Sequence, residues 1–226
     1  MKRLKQILDI SVTVLVVAAA GLVIWRQFVP VGQLQARPGV EDASGTIPVE
    51  LAINVRGTGP LALVEFADFE CPACGQHVRS VEPLIRREFI DTGVIRHVFV
   101  TYPLVGHAHA EPAAEAALCA GNQHRFWDMH DVLFRDQTAL DRQSFIGHAT
   151  ELGLDVVLFS ECIDVGGELA AIERNKTIAR DLGVQGTPSF FLGFVQPDGS
   201  VALQKRINGA MPFGDFQEAI TTLGGA

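Results

Sequence analysis

The chain is short of basic charge, short of cysteine and, apart from one stretch near its start, short of long apolar runs. Its 18 Lys and Arg are outnumbered by 26 Asp and Glu. Lys2, Arg3, Lys5 and Arg26 flank the early apolar stretch; without them and Asp9 the remainder carries about −11, which argues against nucleic acid or anionic lipid surfaces as partners. No segment repeats and none is low in complexity. Only four cysteines are present, and Gly75 rather than His follows the single Cys-x-x-Cys, so covalent haem attachment is excluded. A zinc site there needs two further ligands; His77 stands at one suitable spacing, but on a helix it faces solvent or packs beside the site.

What is present is Cys71-Pro72-Ala73-Cys74, placed where an apolar run gives way to an amphipathic segment. Leu61–Ala67 reads as a buried strand containing one acid, Glu65; Val78, Val81, Leu84, Ile85 and Phe89 then recur at helical spacing. Two thiols one helical turn apart lie within disulfide reach. A helix N-terminus offers unpaired N–H groups and the positive end of the dipole, and both stabilise a thiolate. Pro72 suits the first helical position and pushes Cys71 into extended backbone, where an N-cap belongs. Cys71 is therefore expected to be the exposed, low-pKa attacking sulfur, and Cys74 the resolving sulfur one turn deeper. A static staple is the alternative, though it calls for neither a proline-set helix start nor an acid in the preceding strand.

The front of the chain bears on compartment. Residues 7–25 form an apolar stretch behind positive charge. Nineteen residues at 1.5 Å each give about 28 Å, enough to cross a hydrocarbon core with the N-terminus in the cytoplasm. A cleaved signal peptide ending at Ala18-x-Ala20 would leave Gly21-Leu22-Val23-Ile24-Trp25 as an exposed apolar start, so an uncleaved anchor is favoured. Either way the rest of the chain is exported. Residues 1–28 are thus read as a cytoplasmic tip and transmembrane anchor. Residues 29–47, rich in Pro, Gly, Gln and small side chains, are read as a flexible linker.

Beyond the linker, strands are expected around 49–55, over 61–67 and over 94–101, with Pro83 kinking or dividing the helix between the last two. A run of helices follows over 110–121, 126–134, 143–152, 155–163 and 167–182, broken at Gly121-Asn122, Gly153 and Gly166-Gly167. Strand pattern returns at 189–194 and 201–207 around Pro197-Asp198-Gly199, and a last helix over 215–223 ends at Gly224-Gly225.

This layout resembles the DsbA-like branch of the thioredoxin superfamily, carried by two signatures. One is Glu65-Phe66-Ala67-Asp68-Phe69-Glu70-Cys71-Pro72-Ala73-Cys74; the other is Gly183-Val184-Gln185-Gly186-Thr187-Pro188-Ser189-Phe190-Phe191. A softer match is Ala116-Ala117-Leu118-Cys119-Ala120 followed by Phe126-Trp127-Asp128-Met129-His130-Asp131. The resemblance implies an α/β thioredoxin fold over residues 48–223 with a helical insert at about 105–182; the one N-terminal transmembrane helix read above from hydropathy precedes it. It implies thiol–disulfide exchange without a cofactor. Cys71 and Cys74 are then the catalytic pair. Thr187 and a cis Pro188, with Pro72 and Ala73, form the substrate-binding surface, and the Thr187 backbone pairs with an extended client. Glu65, six positions before Cys71, becomes a proton relay for Cys74; a salt-bridged strand residue is the alternative. Asp68 and Glu70, nearer the surface loop, would oppose the thiolate slightly and receive no role.

Strong oxidants of the family often carry His between the cysteines; Ala73 stands there instead, so the potential is open across about −120 to −270 mV. Of the remaining cysteines, Cys119 and Cys162 are expected to pair as a structural bridge in an exported protein, closing a loop of about 44 residues worth roughly 4 kcal/mol. A shuttle relaying oxidation is the alternative. His107 and His109 are read as solvent-facing loop residues, with copper or zinc ligation as the other option. The expected protein is a single-pass protein of the bacterial inner membrane, its catalytic domain on the periplasmic or extracytoplasmic side. It would exchange disulfides with exported cysteine-containing proteins, chiefly as an oxidase, recycled by a membrane redox partner. Reduction of exported disulfides, or copper handling by the same cysteines, are the alternatives.

Overall fold

The computed structural model describes residues 39–48, 51 and 54–224; the anchor expected over residues 7–25 and the first part of the linker, to residue 38, lie outside them. Among the described residues no helix is long and apolar enough to cross a membrane.

Strand β4 (Leu61–Ala67) is the centre of the molecule, and all seven of its side chains are buried. It runs parallel to β5 (Ile95–Thr101) and antiparallel to β6 (Ser189–Val195). A strand buried on both faces reads as a continuous apolar run rather than an alternating one. Next to β6 lies β7 (Val201–Asn208), joined to it by the turn through Asp198-Gly199. Short β3 (Val55–Arg56) caps the far edge against β5, giving the order β1-β7-β6-β4-β5-β3. Of the strand expected over 49–55, the described residues show Leu51 in a tight turn and strand only from Val55.

The linker expected over 29–47 ends sooner than composition suggested. Strands β1 (Val40–Asp42) and β2 (Thr46–Ile47) both pair antiparallel with β7. Glycine and proline nearby mask the pairing in the sequence, but Lys205 Nζ to Asp42 Oδ1 at 2.5 Å and Asn208 Nδ2 to Glu41 Oε1 at 2.9 Å hold the added edge in register.

Between β4 and β5 the chain crosses over through α1 (Pro72–Ser80), α2 (Glu82–Ile85) and a π turn over Arg86–Ile90. The break at Val81 follows from Pro83, which lacks an N–H to donate and whose ring would strike the carbonyl one turn back. The insert comprises α3 (Ala110–Gly121), α4 (Phe126–Arg135), α5 (Arg142–Glu151), α6 (Val156–Asp164) and α7 (Leu169–Asp181). Asp141 and Asp155 cap α5 and α6 by accepting backbone N–H bonds, which fixes where those helices start. Helix α7 ends in a Schellman turn at Gly183 (φ +68°), with Val184 N–H bonded to the Ala179 carbonyl at 2.9 Å. That turn aims the chain into the segment leading to β6. Helix α8 (Phe213–Gly224) closes the fold.

Alternation along β4 divides the packing. Leu61 and Leu63 meet Phe190, Leu192 and the α8 residues Phe216 and Ile220 on one face. Ala62, Val64 and Phe66 meet Val98, Val100, Phe191 and Ala179 of α7 on the other. A third core fills the insert and reaches the cysteine pair through Phe69 and Phe99. The Cys119–Cys162 disulfide, with Cα atoms 5.9 Å apart, ties α3 to α6.

Candidate active site

Cys71 is the N-cap of α1, in extended backbone (φ −69°, ψ 122°), with Pro72 at the first helical position. Its own N–H bonds the Asp68 carbonyl and its carbonyl receives Gly75 N–H, both at 3.1 Å. The turn therefore presents the first free amides of α1 to the Cys71 sulfur. The thiol is less open than an attacking sulfur was expected to be, 6% exposed. It lies under the segment before β6, where in its protonated form Sγ–H donates to the Thr187 carbonyl at 3.4 Å. Cys74 is fully buried, Pro72 is exposed and Ala73 half-buried, and both sulfurs are free thiols.

The two thiols are driven apart electrostatically. A hydrogen bond from Cys74 draws the Cys71 pKa down to about 5, against some opposition from burial. The Thr187 hydroxyl, which has no other partner, and the backbone amides of Cys74 and Ala73 add to the effect. Cys74 is pushed far up by burial and by its position beside the Cys71 sulfur. One sulfur is thus an anion at neutral pH and its neighbour a thiol, which is the division of labour that exchange requires.

Thr187-Pro188 is a cis peptide facing the pair. Pro188 has no N–H, so it cannot compete for the sulfurs. A cleft of about 490 Å³ runs beside it, lined in part by Gln185, Thr187, Pro188, Arg206 and Asn208.

Glu65 lies on β4 with no exposed surface, and burial raises its pKa. Its partner is a residue that local reading passes over: His97 on β5, whose Nε2 is 2.9 Å from Glu65 Oε2. The strand phase carried a signal, since His97 falls in phase with the buried Ile95 and Phe99 two residues to either side. His77 is not at the surface. It is buried between the rings of Phe190 and Phe216, at 4.6 and 5.2 Å. Among the described residues no group of three His, Cys, Asp or Glu side chains is arranged to hold a metal.

Two further tethers shape the site. Asp68 is buried rather than near the surface, and its carboxylate accepts from Glu70 N–H at 2.8 Å and Leu104 N–H at 2.9 Å. It also pairs with His107 Nδ1 at 2.7 Å, and that contact raises the His107 pKa. Glu70 accepts from His109 N–H at 2.6 Å. The loop bearing both histidines is therefore pinned to the cysteine turn by the acids given no role above. From the insert, Gln137 Nε2 donates to the Phe69 and Cys71 carbonyls at 2.8 and 2.9 Å. A β-carbon at Gly75 would collide with Gln137 Oε1, so glycine there admits the clamp. Gln137 lies in the segment between α4 and α5, where no local pattern marks it.

Residues 58–207 match the family model described as Thioredoxin. Over 142 residues the chain is 28% identical to the probable disulfide bond formation protein D of Bacillus anthracis, covering 59% of this chain and 65% of that one. Over 154 residues it is 38% identical to Na(+)/H(+) antiporter NhaA 1 of Salinispora arenicola, covering 67% of this chain but only 23% of the antiporter's length. The crystal structure of oxidised BdbD from Bacillus subtilis superposes with a TM-score of 0.69 at 21% identity, over 82% of this chain and all of that one. With a thioredoxin sheet, a helical insert, a Cys-x-x-Cys at a helix start and a cis-proline opposite, the chain belongs to the thioredoxin family.

Proposed function

We propose that this chain is a DsbA-like thiol–disulfide oxidoreductase, anchored in the bacterial inner membrane through residues 7–25 and working on the extracytoplasmic side as a thiol oxidase of exported proteins. Residues 1–28 form the cytoplasmic tip and anchor, a linker follows, and the catalytic domain runs to residue 223. The observation that carries the direction is the Cys71 thiol, held at about 5 by its surroundings. A stabilised thiolate favours the reduced enzyme, so the oxidised pair surrenders its disulfide readily.

In the forward reaction a client thiolate attacks Cys71 Sγ, the Cys71–Cys74 bond breaks, and Cys74 leaves as a thiolate that takes a proton from Glu65. The client's second thiolate then attacks the client sulfur of the mixed disulfide and expels Cys71 as its stable anion. The product is an oxidised client and a reduced enzyme, which a membrane redox partner reoxidises. Thr187 and Pro188 support the extended client beside Cys71, and Pro72 and Ala73 form the opposite lip. Cys119 and Cys162 act structurally.

Trapping tests the roles. Cys74→Ser is expected to accumulate mixed disulfides with clients, because Cys71 still exchanges and nothing resolves the adduct from the enzyme side; Cys71→Ser is expected to trap none. Equal trapping by both overturns the assignment. In a redox titration against glutathione the pair should equilibrate nearer the about −120 mV of strong oxidants than the about −270 mV of reducing thioredoxin. A value at the latter end makes the protein a reductase.

A further inference from the structure

Four ionisable side chains lie buried behind the cysteine pair, none more than 1% exposed: Glu65 on β4, His77 on α1, His97 on β5 and His130 on α4. Their polar atoms are paired in a particular pattern. His97 spends Nε2 on Glu65 at 2.9 Å and leaves Nδ1 buried without a partner. His130 spends Nδ1 on Asp131 Oδ1 at 2.8 Å and leaves Nε2 buried without a partner. Asp131 has 52% of its side chain in solvent. One hydrogen-bonded pair thus begins at the acid beneath Cys74, the other ends at the surface, and each stops at an orphaned imidazole nitrogen.

The two imidazoles share one aromatic pocket. Trp127 lies 5.1 Å from the His97 ring and 5.0 Å from the His130 ring. Phe99, two residues from His97 on the same strand face, is 4.8 Å from His130. An imidazole accepts a proton on one nitrogen and releases another from its second, so two in series carry a proton without either migrating. Both unused nitrogens are the ones such a series needs, and the series requires a turned ring or one bridging water to join them.

We propose that Glu65, His97, His130 and Asp131 form a proton wire between Cys74 and solvent. The proposal rests on the reading of Glu65 as the acid and base for Cys74. When Cys74 attacks the mixed disulfide at Cys71, its S–H proton goes to Glu65 and the client leaves as a thiolate. Glu65 passes a proton to His97 Nε2, His97 releases one from Nδ1 to His130 Nε2, and His130 releases one from Nδ1 to Asp131 and water. When Cys74 is instead expelled as a thiolate, the same hops run inward. A client bound along Thr187 would cover Cys71, itself 6% exposed, so a route through the interior keeps Cys74 in proton exchange with solvent.

The charges around the wire suit it. Burial holds the His97 pKa down at about 4, so at neutral pH the ring is uncharged and can both give and take a proton. Glu82 on α2 favours its charged form, while His130 and Arg56 of β3 oppose it. Glu65 faces His77, His130 and Cys74. Arg56 lies 4.2 Å from the Trp127 ring and 3.5 Å from Asp131, closing the outer end on a cation. His77 is outside the route, since it lies between Phe190 and Phe216 and both its ring nitrogens are buried without a partner.

The test mixes the reduced full chain with 5,5′-dithiobis(2-nitrobenzoate), a symmetric aromatic disulfide. The first coloured thiolate released reports Cys71, and the second reports attack by Cys74 on the mixed disulfide. Glu65→Gln and His130→Phe are each expected to slow the second phase roughly tenfold and leave the first unchanged. With the wire cut, the second phase should rise about tenfold per pH unit, as proton removal falls to hydroxide; in the parent chain it should be nearly flat. The double variant should be no slower than Glu65→Gln alone, because both changes cut one path. Asp131→Asn, at the surface and harmless to packing, should slow the same phase several-fold even if His130→Phe fails to fold. A slow Glu65→Gln beside a parental His130→Phe or Asp131→Asn overturns the wire and leaves Glu65 in its role. A second phase in which the His130→Phe and Glu65→Gln effects multiply overturns it in the same way. A parental second phase in Glu65→Gln overturns the underlying reading itself.

Discussion

Serine at position 71 is expected to abolish disulfide exchange, cutting the rate by at least about three orders of magnitude to the buffer background. Every stabilising contact at the helix start is aimed at a sulfur anion, and a serine hydroxyl does not ionise there. Cys74 cannot substitute, because it is fully buried and its thiol is pushed up rather than down. The measurement is insulin or peptide-thiol oxidation by the purified full chain. Exchange surviving in Cys71→Ser at more than a few per cent transfers the nucleophile's role elsewhere.

The same anion gives the reduced protein a pH-dependent stability. The Cys71 pKa falls from 9.0 to about 5 on folding. A depressed acid contributes fully above its unfolded value, so the contribution is complete above about pH 9, shrinks as pH falls and is gone below about 5. At pH 7 it is on the order of 2–3 kcal/mol. The melting temperature of the reduced form should therefore rise relative to the oxidised form between pH 5 and 9.

Removing the second cysteine pair is expected to cost stability without costing chemistry. The Cys119–Cys162 bond joins residues 43 apart in sequence, and releasing a loop of that size adds about 4 kcal/mol of freedom to the unfolded chain. For a chain of this length that corresponds to a fall in melting temperature of roughly 8–16 °C. Cys119→Ala with Cys162→Ala should show that fall in calorimetry while oxidising a peptide dithiol at the parental rate. Cys119 and Cys162 sit on α3 and α6, whereas the contacts that depress the Cys71 pKa come from the start of α1 and from Thr187. Parental stability, or a loss of exchange in proportion to the pair's removal, makes the bond a shuttle instead.

What the sequence revealed is what local pattern can carry. The apolar run before Cys71, Pro72 at the helix start and Gly183 before Thr187-Pro188 each impose backbone geometry within a few residues, so they read correctly in isolation. The insert helices read well because their glycine breaks are local too. What stayed hidden depends on partners far along the chain. Glu65 meets His97 only because β4 and β5 pair in parallel, setting Leu63 beside His97. His77 is buried because Phe216, from α8, closes over it. Asp68 looked superficial until the loop bearing Leu104 and His107 folded back on it. The edge strands β1 and β2 owe their existence to β7, more than 150 residues later. One hidden member did leave a trace: Phe126, His130 and Phe134 fall four apart, which places His130 on the inner face of its helix.

The most direct measurement is the pH titration of the Cys71 thiolate in the reduced full chain, followed by ultraviolet absorbance with Cys71→Ser as the blank. A midpoint near 5 is the expected result, with Cys74 silent across the accessible range. A midpoint near the ordinary value of about 8.5 contradicts a helix-stabilised nucleophile and leaves the pair an inert crosslink.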